Sequence, residues 1–323
     1  MDGIKILSTG SYLPEKKVTN DMMSEIVDTS DEWISSRTGI RSRNFVVDED
    51  TSTMAVKAAK NALKNGIEKE KIGVLIVATF SPDYMTPSTA CIVQKELELP
   101  EQIIAFDLNA ACSGFIYALH TAESLLRSMP GKYALVVGSE TISKVTDFHD
   151  RNTCVLFGDG SGAVVLTLQE GYDSSFFCGV QGSDETIYCK GVQNKGTPFG
   201  GKQKKEPEHY IFMNGREVFR FAVDSIQKSV RQLLVQSNSS IEDIDYFVCH
   251  QANYRILSSA AKKLGVEEKK FYTNLEHCGN TSAASIPVAL NEMEKKGLLK
   301  EGMKLICAGF GGGLTYGAVQ LKW

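Results

Sequence analysis

The sequence predicts an α/β fold built from two similar halves. Short apolar runs alternate along the 323 residues with longer amphipathic stretches, which is the pattern that strands and helices make in α/β proteins. The apolar runs are continuous rather than alternating, so we expect strands that are buried on both faces of their sheets. An internal repeat is the third observation: Ile72 aligns with Ile244, 172 residues later, and Tyr133 aligns with Lys304, 171 residues later.

Each predicted element depends on one of these patterns. The predicted strands are short apolar runs at residues 74–78, 103–106, 133–137, 163–166, 246–249 and 304–307. The predicted helices are amphipathic stretches at residues 53–65, 113–128, 215–237 and 283–296.

The repeat predicts where the chain divides. We expect an N-terminal half of residues 1–170 and a C-terminal half of residues 171–323. The stretch near residues 170–210 that joins them is the most polar part of the chain, and residues 200–207 (GGKQKKEP) are its clearest loop. Chance similarity between two amphipathic segments is the alternative to a true repeat.

Composition excludes several classes of function. The net charge of −4 argues against nucleic acid as the main partner. The first residues lack the long apolar region of a signal peptide, and no run is long enough to span a bilayer. We therefore expect a cytoplasmic protein that binds neither nucleic acid nor a membrane.

Eight cysteines are spread along the chain without a C-x-x-C pair or the Cys/His spacing of a zinc site. Most of them lie inside apolar runs, as Cys307 does. We expect mostly inert core thiols in a reducing compartment, with no metal site and no disulfide framework.

Cys112 is the exception, because its surroundings suit a nucleophile. Residues 110–115 (AACSGF) follow an apolar strand and open a helical pattern. A thiol at the first turn of a helix lies near unpaired backbone N–H groups and the positive end of the helix dipole, which favour the thiolate. Small neighbours leave room for a substrate. The alternative is a small buried side chain without a chemical role.

Three further segments carry polar or glycine-rich patterns. Residues 250–253 (HQAN) follow a strand, where α/β proteins place ligands, although a lone histidine is more often structural. Residues 279–285 (GNTSAAS) precede a helix, so Asn280 is either a site residue or a helix cap. Residues 309–315 (GFGGGLT) allow backbone N–H groups to approach a ligand, as an oxyanion hole requires, or form only a turn.

Together these segments make the chain resemble the β-ketoacyl-acyl-carrier-protein synthase III family, the priming condensing enzymes of the thiolase-like superfamily. The resemblance spans essentially the whole chain. Beside the segments around Cys112, His250, Asn280 and the glycine turn, it includes residues 10–14 (GSYLP), 29–34 (TSDEWI), 37–41 (RTGIR) and 157–163 (FGDGSGA). The last of these is not a nucleotide-binding fingerprint, and the resemblance makes it a structural turn.

The resemblance implies a fold and a reaction. The fold is thiolase-like, with two duplicated α/β halves in five layers, α-β-α-β-α, in a homodimer. The reaction is a decarboxylative Claisen condensation of an acyl-CoA primer with malonyl-acyl-carrier protein. Cys112 would carry the acyl group. Backbone N–H groups of Cys112 and Gly312 would hold the oxyanion, and His250 and Asn280 would stabilise the enolate. Acyl-CoA is then a substrate, and no cofactor is implied.

The resemblance also implies how the two substrates bind. Trp33, Arg37 and Arg151 would bind the adenine and phosphates of CoA, Asn253 the pantetheine arm, and Phe310 would lie beside the malonyl group. The acidic carrier protein would dock on a basic patch formed by Arg220, Arg255, Lys262 and Lys263. On charge alone, an ordinary solvated helix face is the favoured interpretation of the two lysines.

Two positions depart from the family pattern. Thr86 stands where acetyl-preferring members often carry phenylalanine at the end of the primer pocket, so we expect longer or bulkier primers to be accepted. Cys278, next to Gly279, raises the alternative of a second thiolase-type cysteine, which the synthase-like residues 279–285 disfavour. Two other functions stay open: a specialised acyltransferase or condensing enzyme of natural-product assembly, and a silent module that only docks carrier proteins.

Overall fold

The structure, a computed structural model, describes residues 2–64, 66–191 and 209–323, so the predicted loop at 200–207 lies outside the described residues. The strands are β1 (Asp2–Tyr12), β2 (Lys16–Thr19), β3 (Ser42–Phe45), β4 (Ile72–Ala78), β5 (Ile104–Leu108), β6 (Tyr133–Glu140), β7 (Gly160–Glu170), β8 (Ser175–Ser183), β9 (Ile187–Cys189), β10 (Ile211–Met213), β11 (Tyr246–Cys249), β12 (Lys304–Gly311) and β13 (Gly313–Lys322). The α-helices are α1 (Asn20–Ser24), α2 (Asp31–Thr38), α3 (Thr51–Ala62), α4 (Thr89–Glu96), α5 (Gly114–Leu126), α6 (Arg151–Cys154), α7 (Gly215–Gln236), α8 (Tyr254–Leu264), α9 (Leu275–Cys278) and α10 (Ser285–Lys295).

Two sheets of matching topology organise the chain. The N-terminal sheet has the order β1-β7-β6-β4-β5, and the C-terminal sheet has the order β8-β13-β12-β11. In both, a parallel pair (β4 with β6, β11 with β12) is extended by two antiparallel strands. The aligned residues Tyr133 and Lys304 are the first residues of β6 and β12. The predicted duplication is therefore confirmed.

Three large apolar clusters fill the spaces between five layers of structure. Helices α5 and α10 lie between the sheets, where Phe115 and Leu290 pack against residues of both. Helices α3 and α4 cover the outer face of the N-terminal sheet, and α7 and α8 cover that of the C-terminal sheet. Along β4, Ile76 faces the central helices and Val77 faces the outer ones, and every residue of the strand is buried. This is the predicted α-β-α-β-α thiolase-like architecture.

One segment of the N-terminal half packs on the other half. Met23, Ile34 and Ile40, from α1, α2 and the turn after it, lie in the same apolar cluster as the inner faces of α7 and α8. The division at residue 170 stays a prediction, and α2, which precedes it in the chain, packs against the C-terminal helices. Elements from both halves therefore surround the space between α2 and α8.

The predicted helices and strands are present, with ends shifted by a few residues. Helix α5, for example, begins at Gly114 and is preceded by a single 3₁₀ turn at residues 111–113. Within the described residues, no helix has both the length and the apolar character needed to cross a bilayer.

Candidate active site

Cys112 lies in the 3₁₀ turn that leads into α5, and its side chain is buried with 8% of its surface exposed. The turn begins at Ala111, whose φ of 46° is in the left-handed region that non-glycine residues rarely adopt. The backbone of Gly311, at the end of β12, passes directly beside the thiol. A Cβ at Gly311 would come within 2.8 Å of Cys112 Cβ and 3.1 Å of Sγ, so only glycine fits there.

The protonation of Cys112 differs from the sequence expectation. The pKa of the Cys112 thiol is raised to about 12, mainly by burial and also by the carboxylate of Glu140, while the Ser282 hydroxyl acts to lower it. Burial therefore outweighs the effect of the helix N-terminus that we expected to favour the thiolate. The resting residue is a thiol, and its reaction requires a group that takes the proton.

His250 follows β11 directly and is fully buried. The backbone N–H of His250 donates to the carbonyl of Ala308 at 2.8 Å. The His250 ring packs edge-on against Phe310, with 5.1 Å between the ring centroids. Burial lowers the pKa of His250 to about 3, so the imidazole is neutral. Its Nδ1 lies 2.8 Å from the hydroxyl of Ser285, which already accepts the N–H of Gln251. No other acceptor for the Ser285 hydroxyl lies among the described residues, so that hydroxyl donates to Nδ1 and the proton of the imidazole is on Nε2.

Asn280 is held by backbone bonds on both sides. Its N–H donates to the carbonyl of Leu156, and its carbonyl accepts the N–H of Gly158. The side-chain oxygen accepts the N–H of Ser282 at 2.9 Å. The amide Nδ2 has no partner among the described residues and is free to donate into the cavity. Asn280 is not the cap of α10, because that position belongs to Ala284.

A buried carboxylate lies behind Cys112. Glu140, at the end of β6, is fully buried, and its Oε1 accepts the hydroxyl of Ser282 at 3.1 Å. Its Oε2 accepts the hydroxyl of Ser81 at 2.6 Å and that of Thr79 at 3.0 Å, together with the N–H groups of Phe80 and Ser81. Burial raises the pKa of Glu140 to about 7.

The main cavity brings most of the predicted site residues together. It measures about 650 Å³, and its lining includes Cys112, His250, Asn280 and Phe310 at one end and Trp33, Arg37 and Asn253 towards α2 and α8. Arg151 lies outside the lining, but its guanidinium lies 4.8 Å from the centroid of the Trp33 ring, and that of Arg37 lies 4.5 Å from it.

A second cavity of about 770 Å³ adjoins the first. Cys112 lines both cavities, and Gly312, Ser282 and Phe80 line the second. Cys112 therefore stands at a junction. Thr86 lines neither cavity and is exposed in the loop before α4.

The proposed docking residues lie apart from this chemistry. Arg220 on α7 and Arg255, Lys262 and Lys263 on α8 are all exposed, and the two helices pack against each other. Lys263 forms an ion pair with Asp224 at 3.2 Å, which reduces its free charge. Arg216, which the sequence reasoning did not single out, lines the main cavity on the same helix as Arg220.

Cys278 does not line either cavity. It is buried against Leu13, Ala284 and Val288, so it is not placed as a second reacting thiol. Together with His277 and Glu292 it forms a group whose donor atoms lie within 4.8 Å of one another, a spacing that suits a metal ion. However, the Glu292 carboxylate already accepts from Asn274, His277 and Lys296, so the group is an ion-pair network.

Sequence reasoning missed four residues that meet the proposed site residues. Gly311 precedes Gly312, the residue predicted for the oxyanion hole. Ser282 and Ser285 lie in the segment 279–285, but the sequence indicated no role for either. Glu140 gave no signal at all, because it ends an apolar strand far from the other segments in sequence. Only the fold brings it behind Cys112.

Comparisons with known proteins agree with this geometry. Two family profiles match, "3-Oxoacyl-[acyl-carrier-protein (ACP)] synthase III" at residues 106–184 and its C-terminal counterpart at residues 234–323. The β-ketoacyl-[acyl-carrier-protein] synthase III of Clostridium acetobutylicum is 51% identical, over 100% of this chain and 99% of its own. The crystal structure of the Aquifex aeolicus 3-oxoacyl-[acyl-carrier-protein] synthase III superposes with a TM-score of 0.90 at 42% identity, covering 99% of this chain and 100% of its own. A priming β-ketosynthase of a polyketide pathway superposes with a TM-score of 0.89 at 32% identity, covering 99% of this chain and 96% of its own.

Proposed function

Because this chain belongs to the β-ketoacyl-[acyl-carrier-protein] synthase III family of acyltransferases, which condense acyl-CoA with malonyl-acyl-carrier protein to initiate fatty-acid synthesis, we propose that Cys112, His250 and Asn280 carry out that condensation here. The observation that carries the assignment is the shared cavity: the thiol, a neutral imidazole and a free amide donor line one end of it. These are the groups that an acyl transfer followed by enolate formation requires.

In the first half-reaction, Cys112 Sγ attacks the thioester carbon of the acyl-CoA. The C–S bond to CoA breaks, CoA leaves, and the acyl group stays on Cys112. The backbone N–H groups of Cys112 and Gly312 are the proposed donors to the oxyanion. The position of Gly312 in the turn between β12 and β13, in the cavity that Cys112 also lines, supports that role.

In the second half-reaction, malonyl-acyl-carrier protein loses CO₂ and leaves an enolate. The Nε2–H of His250 and the Nδ2–H₂ of Asn280 stabilise the enolate oxygen, and each such donor contributes about 2.7–4 kcal/mol to lowering a barrier. The enolate carbon attacks the acyl carbonyl on Cys112 and releases a 3-ketoacyl-acyl-carrier protein. Phe310, which fixes the His250 ring, is the proposed contact for the malonyl group.

Binding of CoA is assigned to the outer end of the main cavity. The guanidinium groups of Arg37 and Arg151 lie over the ring of Trp33. Adenine can therefore stack on this ring while the two arginines bind the phosphates of CoA. Asn253 joins α2 to α8 by donating to the carbonyl of Arg37, and it is the proposed contact for the pantetheine arm.

The carrier protein is acidic, and we propose that it docks on the exposed cations Arg220, Arg255, Lys262 and Lys263. Arg216 extends this basic surface to the lining of the main cavity. Such complementarity acts mainly on the rate of encounter and on specificity.

The enzyme is proposed to work as a homodimer through the open edge of β5. This strand pairs with β4 on one side, and Ile104 is 37% exposed. The loop before α4 is tied to β5, because Asp107 accepts the N–H groups of Thr89 and Ala90. A second chain at this edge would bring the loop and Thr86 against its neighbour, so selection of primers by Thr86 depends on the dimer. Light scattering that reports a monomer would contradict both the homodimer and the dependence of primer selection on it.

The proposed reaction needs acyl-CoA and malonyl-acyl-carrier protein as partners and no cofactor. We propose a cytoplasmic location, where thiols such as the eight free cysteines stay reduced. The second candidate function, priming in natural-product assembly, is favoured by the likeness to the polyketide priming synthase.

Intact mass measurement after incubation with acyl-CoA tests the proposal. The wild type should gain one acyl group, and Cys112→Ala should gain none. Failure of the wild type to acylate, or an unchanged adduct on Cys112→Ala, would refute Cys112 as the nucleophile. A primer panel with malonyl-acyl-carrier protein should then yield 3-ketoacyl product, with branched or medium-chain primers turned over better than acetyl-CoA. Equal or poorer turnover of those primers would contradict the role of Thr86.

A further inference from the structure

The acylation step lacks an obvious proton acceptor. Cys112 is a thiol at rest, and its proton must leave before or as the sulfur attacks. His250 is the usual choice for a base, but its Nδ1 already accepts the Ser285 hydroxyl and its Nε2 carries the proton. A histidine in this state donates to a substrate oxygen and does not take a proton from a thiol.

A short chain of polar groups leads from Cys112 away from the cavity. Ser282 lines the second cavity together with Cys112, and its hydroxyl, which favours the Cys112 thiolate, donates to Oε1 of Glu140 at 3.1 Å. Ser282 begins its 3₁₀ turn with φ of 49°, in the left-handed region. The cost of that conformation, about 1–3 kcal/mol for such a residue, is consistent with a position held for function.

The two oxygens of Glu140 have different surroundings. Oε2 accepts two hydroxyls and two N–H groups and is saturated, whereas Oε1 accepts only the Ser282 hydroxyl among the described residues. The groups packed around the carboxylate from β4 and its following loop are hydroxyls and amides, and none of the described ion pairs includes Glu140. On the cavity side, Cys112 is the titratable group whose charge is coupled to that of Glu140.

We propose that Glu140 accepts the proton of Cys112 through the hydroxyl of Ser282 when the thiol attacks acyl-CoA, and that it returns this proton after condensation. This inference rests on the proposed function of Cys112 and adds a positioning pair, Ser282 and Glu140, to it.

The proton and electron pairs balance over the cycle. As the Sγ–C bond forms, the S–H bond breaks, Ser282 Oγ takes the thiol proton, and the former hydroxyl proton of Ser282 moves to Glu140 Oε1. CoA departs as a thiolate and is protonated by water. In the second half-reaction, the sulfur leaves the tetrahedral intermediate as a thiolate, and the proton returns from Glu140 through Ser282. At rest the pair Cys112–Glu140 carries one negative charge. In the acyl-enzyme the pair is neutral, because that charge has left with the CoA thiolate, and it returns when condensation releases the sulfur as a thiolate.

The protonation state of Glu140 suits this exchange. Its pKa of about 7 means that a carboxylate is present at neutral pH and that the acid form is within easy reach. Acylation should therefore require the ionised carboxylate and fall as the pH drops through about 7. The alternative is that Glu140 only fastens the loop after β4 to the turn at Ser282.

Single-turnover acylation of Cys112, followed by quenched intact mass over about pH 5.5 to 9.5, separates the two roles. In the wild type the rate should rise with pH, bend near pH 7 and flatten. Glu140→Gln keeps the size of the side chain, and its amide oxygen can replace Oε2 as a hydrogen-bond acceptor, but the amide cannot take a proton. It should lose the bend, rise steadily with pH, and acylate at least about tenfold more slowly at pH 7. Ser282→Ala should behave in the same way.

Ser81→Ala is the matched control, because it removes a donor to Oε2 and leaves the path through Ser282 intact. Its bend should persist and move to higher pH, since the carboxylate loses a donor that favours ionisation. A bend near pH 7 in both Glu140→Gln and Ser282→Ala would overturn the proposal. If Glu140→Gln does not fold, Ser282→Ala decides. Absence of acylation in the wild type would instead refute the proposed function of Cys112.

Discussion

Ala111 and Ser282 occupy equivalent positions in the two halves. They are 171 residues apart, each begins a 3₁₀ turn, and their φ angles are 46° and 49°. Each turn leads into a central helix, α5 or α10, whose first residues are also 171 apart. The duplication therefore brings two strained turns together at the middle of the molecule. The first turn carries the thiol of Cys112 where the second has Ala283. The second turn carries the hydroxyl of Ser282 where the first has Ala111.

Gly311→Ala should block the site by contact. The added methyl group would lie 2.8 Å from Cys112 Cβ, with no flexible side chain to move away, so we expect loss of acylation and a destabilisation of about 1–3 kcal/mol. Gly312→Ala is the matched control, because its nearest neighbour is 3.4 Å away and its N–H is retained. Acylation rates and thermal melts of the two variants check this. Equal loss in both would contradict it.

His250→Ala should separate the two half-reactions. Loss of the Nε2–H donor should slow decarboxylation of malonyl-acyl-carrier protein about 100-fold, while acylation of Cys112 continues. Ser285→Ala should give a smaller loss of the same kind, because it frees the imidazole to place its proton on Nδ1. CO₂ release and acyl-adduct formation are the two measurements. A variant at Ser285 that impairs acylation instead would show that the assigned tautomer is wrong.

Trp33→Ala should weaken binding of the coenzyme. Stacking of a base on an aromatic ring contributes about 1–3 kcal/mol, so the KM for acyl-CoA should rise roughly tenfold with little change in kcat. Trp323, the other tryptophan, lines neither cavity, and its replacement by alanine should leave this KM unchanged. Steady-state kinetics with varied acyl-CoA test the pair, and an equal rise in both would count against stacking.

Arg255→Glu and Lys262→Glu should each raise the KM for malonyl-acyl-carrier protein and reduce its dependence on salt. The same variants should leave the KM for malonyl-CoA unchanged, because that substrate has no protein surface to dock. Lys95→Glu, which is exposed on α4 on the opposite outer layer, serves as the control. An equal effect on both substrates would place these residues at the cavity and not at a docking surface.

Glu140 should also affect how the free energy of unfolding depends on pH. Its pKa of about 7 in the folded protein is above the value of 4.5 for an ordinary glutamate, so the folded state binds the proton more tightly. Stability from this group is fully present below about pH 4.5 and is lost as the pH rises to about 7. Relative to the wild type, Glu140→Gln should therefore gain up to about 3 kcal/mol in free energy of unfolding between pH 5 and pH 8. Urea unfolding at the two pH values measures this, and a constant difference would contradict the raised pKa.

The sequence reveals the layers better than the contacts between them. Continuous apolar runs mark strands such as β4 and β6, which are buried on both faces, and the repeat indicates the duplication. Strands β1 and β8 mix polar with apolar residues, because each lies at the edge of its sheet, and they escape the same pattern.

The site divides along similar lines. Cys112, His250 and Asn280 stand in distinctive segments, so their residue types alone indicate chemistry. Glu140 and Ser285 act through hydrogen bonds across long sequence separations, and no local pattern reports such contacts. The raised pKa of Cys112 is likewise a property of burial, which the helix position alone does not reveal.

Under the proposed binding of CoA, the position of Cys112 in the lining of two cavities separates two kinds of recognition. The part that every acyl-CoA shares would bind in the main cavity, and the acyl tail that distinguishes one substrate from another would extend into the second cavity. Substitutions in the lining of the second cavity would then change which primer is accepted, while the residues that bind CoA and the reacting groups stay the same.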